Sequence, residues 1–354
     1  MSQFYKLKVA EICNETPDAV SVAFEISNDI KPEFNYQPGQ YLTLRLFING
    51  VEERRSYSLC SSPFEDELLR IAVKKIENGK VSTFINEQLN QGDEVDVMLP
   101  QGNFVLDVNE DNENLYVAFA AGSGITPIMS MIKSVLKKEV KSKFILFYGN
   151  RTADLTIFKS DLDELSGEKF NVKYIFSREK SSSELFSGRI DKEKANALLK
   201  GNNDLLTADR YYLCGPEEMI LNVTSCLEGF GVNKEKMFYE LFTAPVLFTD
   251  QKDEQVEAND FTGNAKVKVI CDEEEVEFEL GSDNLILDAA IEYDLDVPFS
   301  CKGGVCCTCK AKVISGKVTM DANYALSDAE VEEGYVLTCQ AHPASANVVV
   351  DFDE

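Results

Sequence analysis

The feature that most limits what this chain can fold into is a crowd of thiols near its C-terminal end. Cys301-Lys302-Gly303-Gly304-Val305-Cys306-Cys307-Thr308-Cys309 reads C-x4-C-x2-C, and Cys339 follows after 29 intervening residues. That is the spacing of four thiolates around a plant-type [2Fe–2S] cluster. Thiolates suit ferric iron because they are soft, strongly donating and negative. Two adjacent glycines let the loop bend tightly and leave backbone N–H groups free to bond the sulfides. Four cysteines can also hold zinc, but zinc ribbons usually set two C-x2-C pairs apart, whereas one loop here carries three ligands. Taking Cys306 rather than Cys307 preserves both spacings. The expected metal ligands are therefore Cys301, Cys306, Cys309 and Cys339, with Cys307 a small packed residue.

The rest of the composition removes alternatives. The only histidine is His342, so a two-histidine Rieske cluster, a His-rich zinc site and a chain-wide triad are poor fits. The 35 basic residues face 61 acidic ones, a net charge of -26. Such a chain is not expected to bind nucleic acid or an anionic membrane surface. The first residues, MSQFYKLKVAEICNE, lack an apolar signal region, and no stretch of about 20 apolar residues could span a bilayer. A cytoplasmic, reducing location is expected, where ten cysteines favour metal ligation over disulfides.

With 354 residues, two or three domains are expected. Residues 1–108 show short alternating apolar runs at 6–9, 20–24, 41–46, 69–73 and 94–98, punctuated by Pro38-Gly39, Asn49-Gly50, Asn78-Gly79 and Gly92-Asp93. This predicts a small antiparallel β-barrel interrupted by one helix over 81–89. Residues 109–244 alternate strands with helices. The nearly continuous apolar run Leu115–Ala120 predicts a parallel strand covered on both faces, and runs at 144–148, 170–176 and 210–214 continue a doubly wound α/β sheet. Residues 245–264 form a polar, mostly acidic linker without periodicity. Residues 265–354 open on a hairpin (265–270 and 275–280), then a helix over 285–293 and a loop over 294–309, and close on a strand at 348–350. This last block holds 19 acidic residues against six lysines and no arginine, a net of -13, half of the chain's negative charge.

Two further motifs carry chemistry. Ala121-Gly122-Ser123-Gly124-Ile125-Thr126-Pro127 follows an apolar strand and opens a helix. Glycines there admit a pyrophosphate, and the helix N-terminus offers unpaired N–H groups. The third glycine of G-x-G-x-x-G is missing, so a plain βα turn is an alternative. Cys214-Gly215-Pro216 ends a later strand of the same block, where an inert buried thiol is the alternative for Cys214. In the barrel block, Arg55-Ser56-Tyr57-Ser58 could pair a phosphate, stack on a flat ring and hydrogen-bond its polar edge, or be an ordinary strand. Gly79-Lys80-Val81-Ser82-Thr83 opens the only helix of that block and offers a second phosphate seat, or simply an N-cap.

Taken in order, R-x-Y-S, G-S-G-I-T-P, C-G-P and C-x4-C-x2-C…C resemble the ferredoxin–NADP reductase superfamily with a C-terminal plant-type ferredoxin domain, along essentially the whole chain. The resemblance implies a multidomain protein: an antiparallel β-barrel for FAD, a doubly wound α/β domain for NADP, and a β-grasp [2Fe–2S] domain. It implies Arg55 on the flavin pyrophosphate, Tyr57 against the isoalloxazine and Ser58 near its reactive edge, with Val81, Ser82 and Thr83 at the diphosphate. Gly122, Gly124 and Thr126 would hold the pyridine nucleotide, with Cys214, Gly215 and Pro216 beside the nicotinamide. Tyr57, Ser58 and Cys214 would be the catalytic side chains. Phe176-Ser177-Arg178-Glu179 resembles a pocket for the 2′-phosphate of NADPH, Ser177 and Arg178 being its donors and Arg189 a further partner, while Glu179 could instead serve NADH.

The stretches 301–306, 321–326 and 334–340 resemble most the subgroup of reductase components of phenylacetyl-CoA monooxygenases (epoxidases) in phenylacetate catabolism; reductases of ketosteroid or aromatic-ring hydroxylases share the core motifs. The implied activity is an oxidoreductase passing electrons from NADPH or NADH through FAD and the cluster to the oxygenase component of a multicomponent monooxygenase. A nicotinamide gives two electrons as hydride, a [2Fe–2S] cluster takes one, and a flavin accepts a pair and releases it singly. The acidic last block would dock on a basic face of that oxygenase. A non-enzymatic metal-bound scaffold is the reading from a different class.

Overall fold

The computed structural model describes residues 4–180, 183–244, 246 and 261–354. Most of the predicted linker 245–264 lies outside the described residues.

Alternation of apolar and polar residues builds the first sheet. Strands β1 (Tyr5–Thr16), β2 (Ala19–Glu25), β3 (Tyr41–Ile48), β4 (Val51–Ser58), β5 (Leu69–Lys74) and β6 (Glu94–Val97) pair antiparallel in the order β4-β3-β6-β1-β2-β5. The two edges meet where Leu59 bridges Ile71, so the sheet closes as a barrel. Inward residues such as Val9, Val22, Phe24, Leu44, Ile71 and Val97 fill it. Helix α1 (Lys80–Glu87) packs Val81 and Ile85 onto the barrel.

The second sheet is parallel throughout: β7 (Leu115–Ala121), β8 (Lys143–Asn150), β9 (Phe170–Phe176), β10 (Arg210–Cys214) and β11 (Met237–Glu240), in the order β11-β10-β7-β8-β9. Helices α2 (Ile125–Lys138), α3 (Lys159–Leu165), α4 (Lys192–Lys200) and α5 (Glu217–Gly229) connect the strands. Strand order reverses at β7, the point where open α/β sheets leave a crevice at the strand ends.

The C-terminal domain is a β-grasp. Strands β12 (Asn264–Cys271), β13 (Glu274–Gly281), β14 (Lys310–Ser315), β16 (Tyr335–Leu337) and β18 (Asn347–Asp351) form a sheet in the order β13-β12-β18-β14-β16. Helix α6 (Ile286–Glu292) packs its buried face into this domain's core, and β15 (Val318–Met320) with β17 (Ala341–Pro343) and α7 (Asp328–Glu332) complete it. The cysteine loop has no regular structure, as expected.

The structure also holds strands that the sequence reading leaves out or, for 55–58, gives only as an alternative. Strand β4 carries Glu52, Glu53, Arg54 and Arg55 in succession, so it has no apolar alternation to reveal it. Strand β11 is four residues long and half-buried at a sheet edge.

Candidate functional site

Two clefts lie side by side at the carboxyl ends of the second sheet. The first, of about 610 Å³, runs between barrel, nucleotide domain and cysteine loop. Strand β4 lays Arg55, Tyr57 and Ser58 along it, and the start of α1 brings Gly79, Lys80, Val81 and Ser82 to the same wall. Thr83 is not on that wall; its N–H bonds the carbonyl of Gly79 at 3.0 Å. Arg55 Nη2 stands 3.3 Å and Lys80 Nζ 3.0 Å from the two oxygens of Glu53, which gathers both cations at the helix N-terminus. A Cβ on Gly79 would come within 2.4 Å of Ser82 Oγ and of an Ile76 side-chain carbon, so a larger residue would displace Ser82 and Ile76. A glycine cradle, two cations and a helix start suit a pyrophosphate, and the Tyr57 ring on the same wall suits a flat ring system. The residues thus fit FAD, which when bound supplies two-electron acceptance and one-electron release.

Ser58 donates to Glu240 Oε2 at 3.2 Å. Burial pushes the Glu240 carboxyl up to about 8, with the Ser58 hydroxyl opposing the shift. A carboxyl raised so near neutrality can hold or pass a proton in this cleft. Sequence reasoning misses this residue, together with Lys74, Phe242 and Thr243, which line both clefts. The one available signal is an acidic residue inside the apolar run Phe238-Tyr239-Glu240-Leu241-Phe242.

The second cleft, of about 680 Å³, is lined by Gly122, Ser123 and Gly124 after β7, by Gly215 and Pro216 after β10, and by Ser177, Arg178 and Arg189. The two turns touch: a Cβ on Gly124 would lie 2.1 Å from the carbonyl oxygen of Cys214. That contact explains the second glycine of the motif without any ligand. Ser123 lines both clefts, whereas Thr126, expected at the nucleotide, lines the first, with its hydroxyl bonded to the carbonyl of Ser123 at 3.0 Å. Cys214 is fully buried and lines neither cleft, and burial pushes its thiol well above the usual range. Arg151, which the sequence reading leaves out, lines the nucleotide cleft beside Arg178 and Arg189. Glu179 is occupied elsewhere, accepting from the Ala153 N–H at 2.8 Å.

The thiol loop meets the first cleft. Cys301 and Cys306 line it, their sulfurs 3.1 Å apart. Cys339 contacts Cys301 and Cys309, whose thiols are pushed down by the neighbouring sulfurs that donate to them, while Cys306 and Cys339 are pushed up. Four thiols joined in one chain of contacts, with the Gly303 N–H 3.3 Å from the Cys301 sulfur, fit the donors of a two-iron cluster, which when bound takes up one electron at a time. Cys307 turns away from the other thiols: its sulfur lies 3.3 Å from Tyr41 Oη on the barrel, and its N–H bonds the same oxygen at 3.2 Å.

Comparison with known proteins agrees with this geometry. Family models match residues 6–106 (oxidoreductase FAD-binding domain), 119–225 (oxidoreductase NAD-binding domain) and 269–344 (2Fe-2S iron-sulfur cluster binding domain). One component of the 1,2-phenylacetyl-CoA epoxidase from Escherichia coli K12 is 38% identical, covering 100% of this chain and 99% of that protein. The chain belongs to the ferredoxin–NADP reductase superfamily, in the branch with a C-terminal plant-type [2Fe–2S] domain. The ferredoxin reductase component of 3-ketosteroid-9-alpha-monooxygenase from Mycobacterium tuberculosis H37Rv is 32% identical, covering 99% of this chain and 96% of that one. Phthalate dioxygenase reductase has the same fold, with a TM-score of 0.60 at 24% identity over 99% of this chain and 98% of that one. The chain is therefore an electron-transfer oxidoreductase that uses a pyridine nucleotide, FAD and a [2Fe–2S] cluster. No described helix of the reductase is long and apolar enough to cross a membrane.

Proposed function

We propose that this chain is the NADPH-dependent reductase component of a multicomponent monooxygenase acting on phenylacetyl-CoA. One observation carries the electron-transfer reading: a single cleft is walled by the flavin-type residues Tyr57 and Ser58, by Ser123 and Thr126 from the nucleotide domain, and by the ligands Cys301 and Cys306. With FAD and the cluster bound, the nucleotide-domain wall would admit the hydride donor and the thiol wall would hold the one-electron acceptor. This chain's residues seat the cofactors, and Glu240 with Ser58 holds the proton that the two-electron and one-electron halves do not share. The substrate class of the partner rests on the 38% identity to the epoxidase component. Ketosteroid monooxygenase reductases, at about 30% identity, support a second reading with another oxygenase.

NADPH is favoured by Ser177 and Arg178 on the nucleotide cleft, and by the engagement of Glu179 with Ala153, which takes the carboxylate away from ribose hydroxyls. The proposed location is the cytoplasm. The acidic C-terminal domain supports docking on a basic face of the oxygenase.

The test is reconstitution: purified holoenzyme, NADPH and a phenylacetyl-CoA monooxygenase, with product formation measured against ionic strength. Turnover that falls with salt while nucleotide-driven flavin reduction stays constant is the expected result. Failure to support that oxygenase, with success on a ketosteroid hydroxylase, would transfer the chain to the second reading.

A further inference from the structure

Strand β4 is built to serve two cofactors at once. Successive side chains of a strand point to opposite faces. Arg55 and Tyr57 line the flavin cleft, whereas Arg54, between Glu53 and Arg55, is buried to 5% exposure and reaches into the C-terminal domain. Its Nη1 donates to the Val297 carbonyl at 3.1 Å and its Nη2 to Asp296 Oδ1 at 2.8 Å. Its guanidinium carbon lies 4.2 Å from the centre of the Phe299 ring. These three residues are the approach to Cys301. Next along β4, Ser56 Oγ bonds Ser300 Oγ at 2.8 Å. A buried guanidinium that holds a carboxylate, a carbonyl and a ring on another domain is directional in a way that an apolar patch is not.

We propose that Arg54 is a positioning residue for flavin-to-cluster electron transfer: it fixes the 296–301 segment, and with it Cys301, on the wall of the flavin cleft. This rests on the FAD and cluster reading given above. The step balances with the oxygenase as final acceptor: one electron would leave the reduced flavin for the oxidised cluster, the cluster would pass it to the oxygenase, the second electron would follow by the same route, and the flavin's proton would be released. No bond between the two cofactors forms or breaks, so separation and orientation are what the protein controls. The other barrel contacts of the C-terminal domain include Asn103 Nδ2 to the Ala325 carbonyl at 3.1 Å and Tyr41 Oη to Thr308 Oγ1 at 3.1 Å, while Val305 and Tyr324 pack on the core of the nucleotide domain. Among the barrel contacts, Arg54 is the buried charged group that holds the approach to Cys301.

The experiment uses the FAD- and iron-loaded full chain. On rapid mixing with NADPH, Arg54→Ala should reduce its flavin at the parent rate but its cluster severalfold more slowly, because electron transfer between separated centres falls steeply as they move apart. Arg54→Lys, which keeps the charge and loses the fork, should fall between. Asp296→Ala, altered on the other domain, should slow cluster reduction alone. Hydrogen exchange of segment 294–303 in the resting protein supplies a readout independent of turnover: protection should drop in Arg54→Ala and Asp296→Ala. Unchanged cluster reduction would overturn the proposal. So would equal slowing of flavin and cluster with loss of FAD, since Arg54 would then merely stabilise the barrel. If Arg54→Ala does not accumulate as folded protein, Arg54→Lys and Asp296→Ala decide by the same criteria. A parent protein whose cluster is not reduced by nucleotide would instead sink the electron path itself.

Discussion

The two clefts are neighbours and differ in kind. The flavin cleft is lined by aromatic rings, hydroxyls, a carboxyl that burial pushes up to about 8 and two thiols, with Arg55 and Lys80 gathered around Glu53. The nucleotide cleft is framed by two glycine turns and by Arg151, Arg178 and Arg189. Aromatic faces and hydroxyls, with cations held by a carboxylate at one end, suit a resident group whose protonation and orientation must be controlled. Arginines on open turns suit a charged ligand that arrives, is held by phosphate contacts and leaves. The pair teaches that retention and exchange are written in different chemistries, and each contrast can be broken separately.

The largest break is at the thiol loop, which touches only the flavin cleft. Cys306→Ser should abolish the cluster completely while FAD remains bound, because the domains carry separate cores. Nucleotide should still bleach the flavin, and a dye that accepts from flavin should still be reduced; loss of FAD with the iron would refute the separation. Cys307→Ser should keep its iron, since that sulfur faces Tyr41 instead of the other thiols.

Glu240 sharpens the contrast through pH. Its carboxyl is raised from 4.5 to about 8 in the folded state. Below about pH 4.5 both folded and unfolded chains hold the proton. As the pH rises toward 8 the unfolded chain ionises first, so stability is lost through that window. At about 1.36 kcal/mol per pKa unit the ceiling is near 5 kcal/mol, and access of water through the cleft leaves an effect on the order of 1–3 kcal/mol. Glu240→Gln holoenzyme should therefore be more stable than the parent at pH 8, the gap closing toward pH 4.5 in thermal melts. A gap independent of pH would deny the buried proton.

How much of this was readable beforehand follows from how local each signal is. The proximity of Cys301, Cys306 and Cys309 was legible because their spacing lies within one loop, and the glycine turns because turn chemistry is local. That Ser177 and Arg178 line one cleft was legible in the same way, at a strand end. Glu240 and Lys74 were not, because only the folded chain brings the end of β11 and β5 to one wall. Arg54 was hidden in a run of four charges that reads as a solvated face, and its burial depends on a domain far along the chain, 243 residues away at Val297. Thr126 was expected with the nucleotide, yet the first turn of α2 directs it to the flavin cleft, a matter of helix phase that the motif does not encode.

Arg178 tests the exchange side. Losing a charge-assisted bond to a phosphate typically costs about 1.5–3 kcal/mol, roughly ten- to a hundredfold in affinity. Arg178→Ala should raise KM for NADPH by that factor and leave NADH use nearly unchanged. Equal harm to both nucleotides, or a parent that prefers NADH, would remove the 2′-phosphate from this pocket.

Tyr57 gives the smallest expected effect and the finest probe of the retention side. Its phenol is pushed far above its ordinary range, with burial as the main cause. The hydroxyl therefore stays neutral at any working pH, and the ring's contribution to a bound flavin is its face. An aromatic stacking contact is worth about 0.5–1.5 kcal/mol beyond the area it covers, which corresponds to roughly two- to twelvefold in a dissociation constant. Tyr57→Ala should weaken FAD retention by about that factor during dialysis and slow flavin reduction by NADPH. Tyr57→Phe keeps the face and removes the hydroxyl, so it should retain FAD as the parent does. If Phe fails as badly as Ala, the hydroxyl and not the ring holds the cofactor; if Ala retains flavin content and rate, Tyr57 is a strand residue only. In either case the nucleotide affinity should not move, because Tyr57 lines one cleft and Arg178 the other.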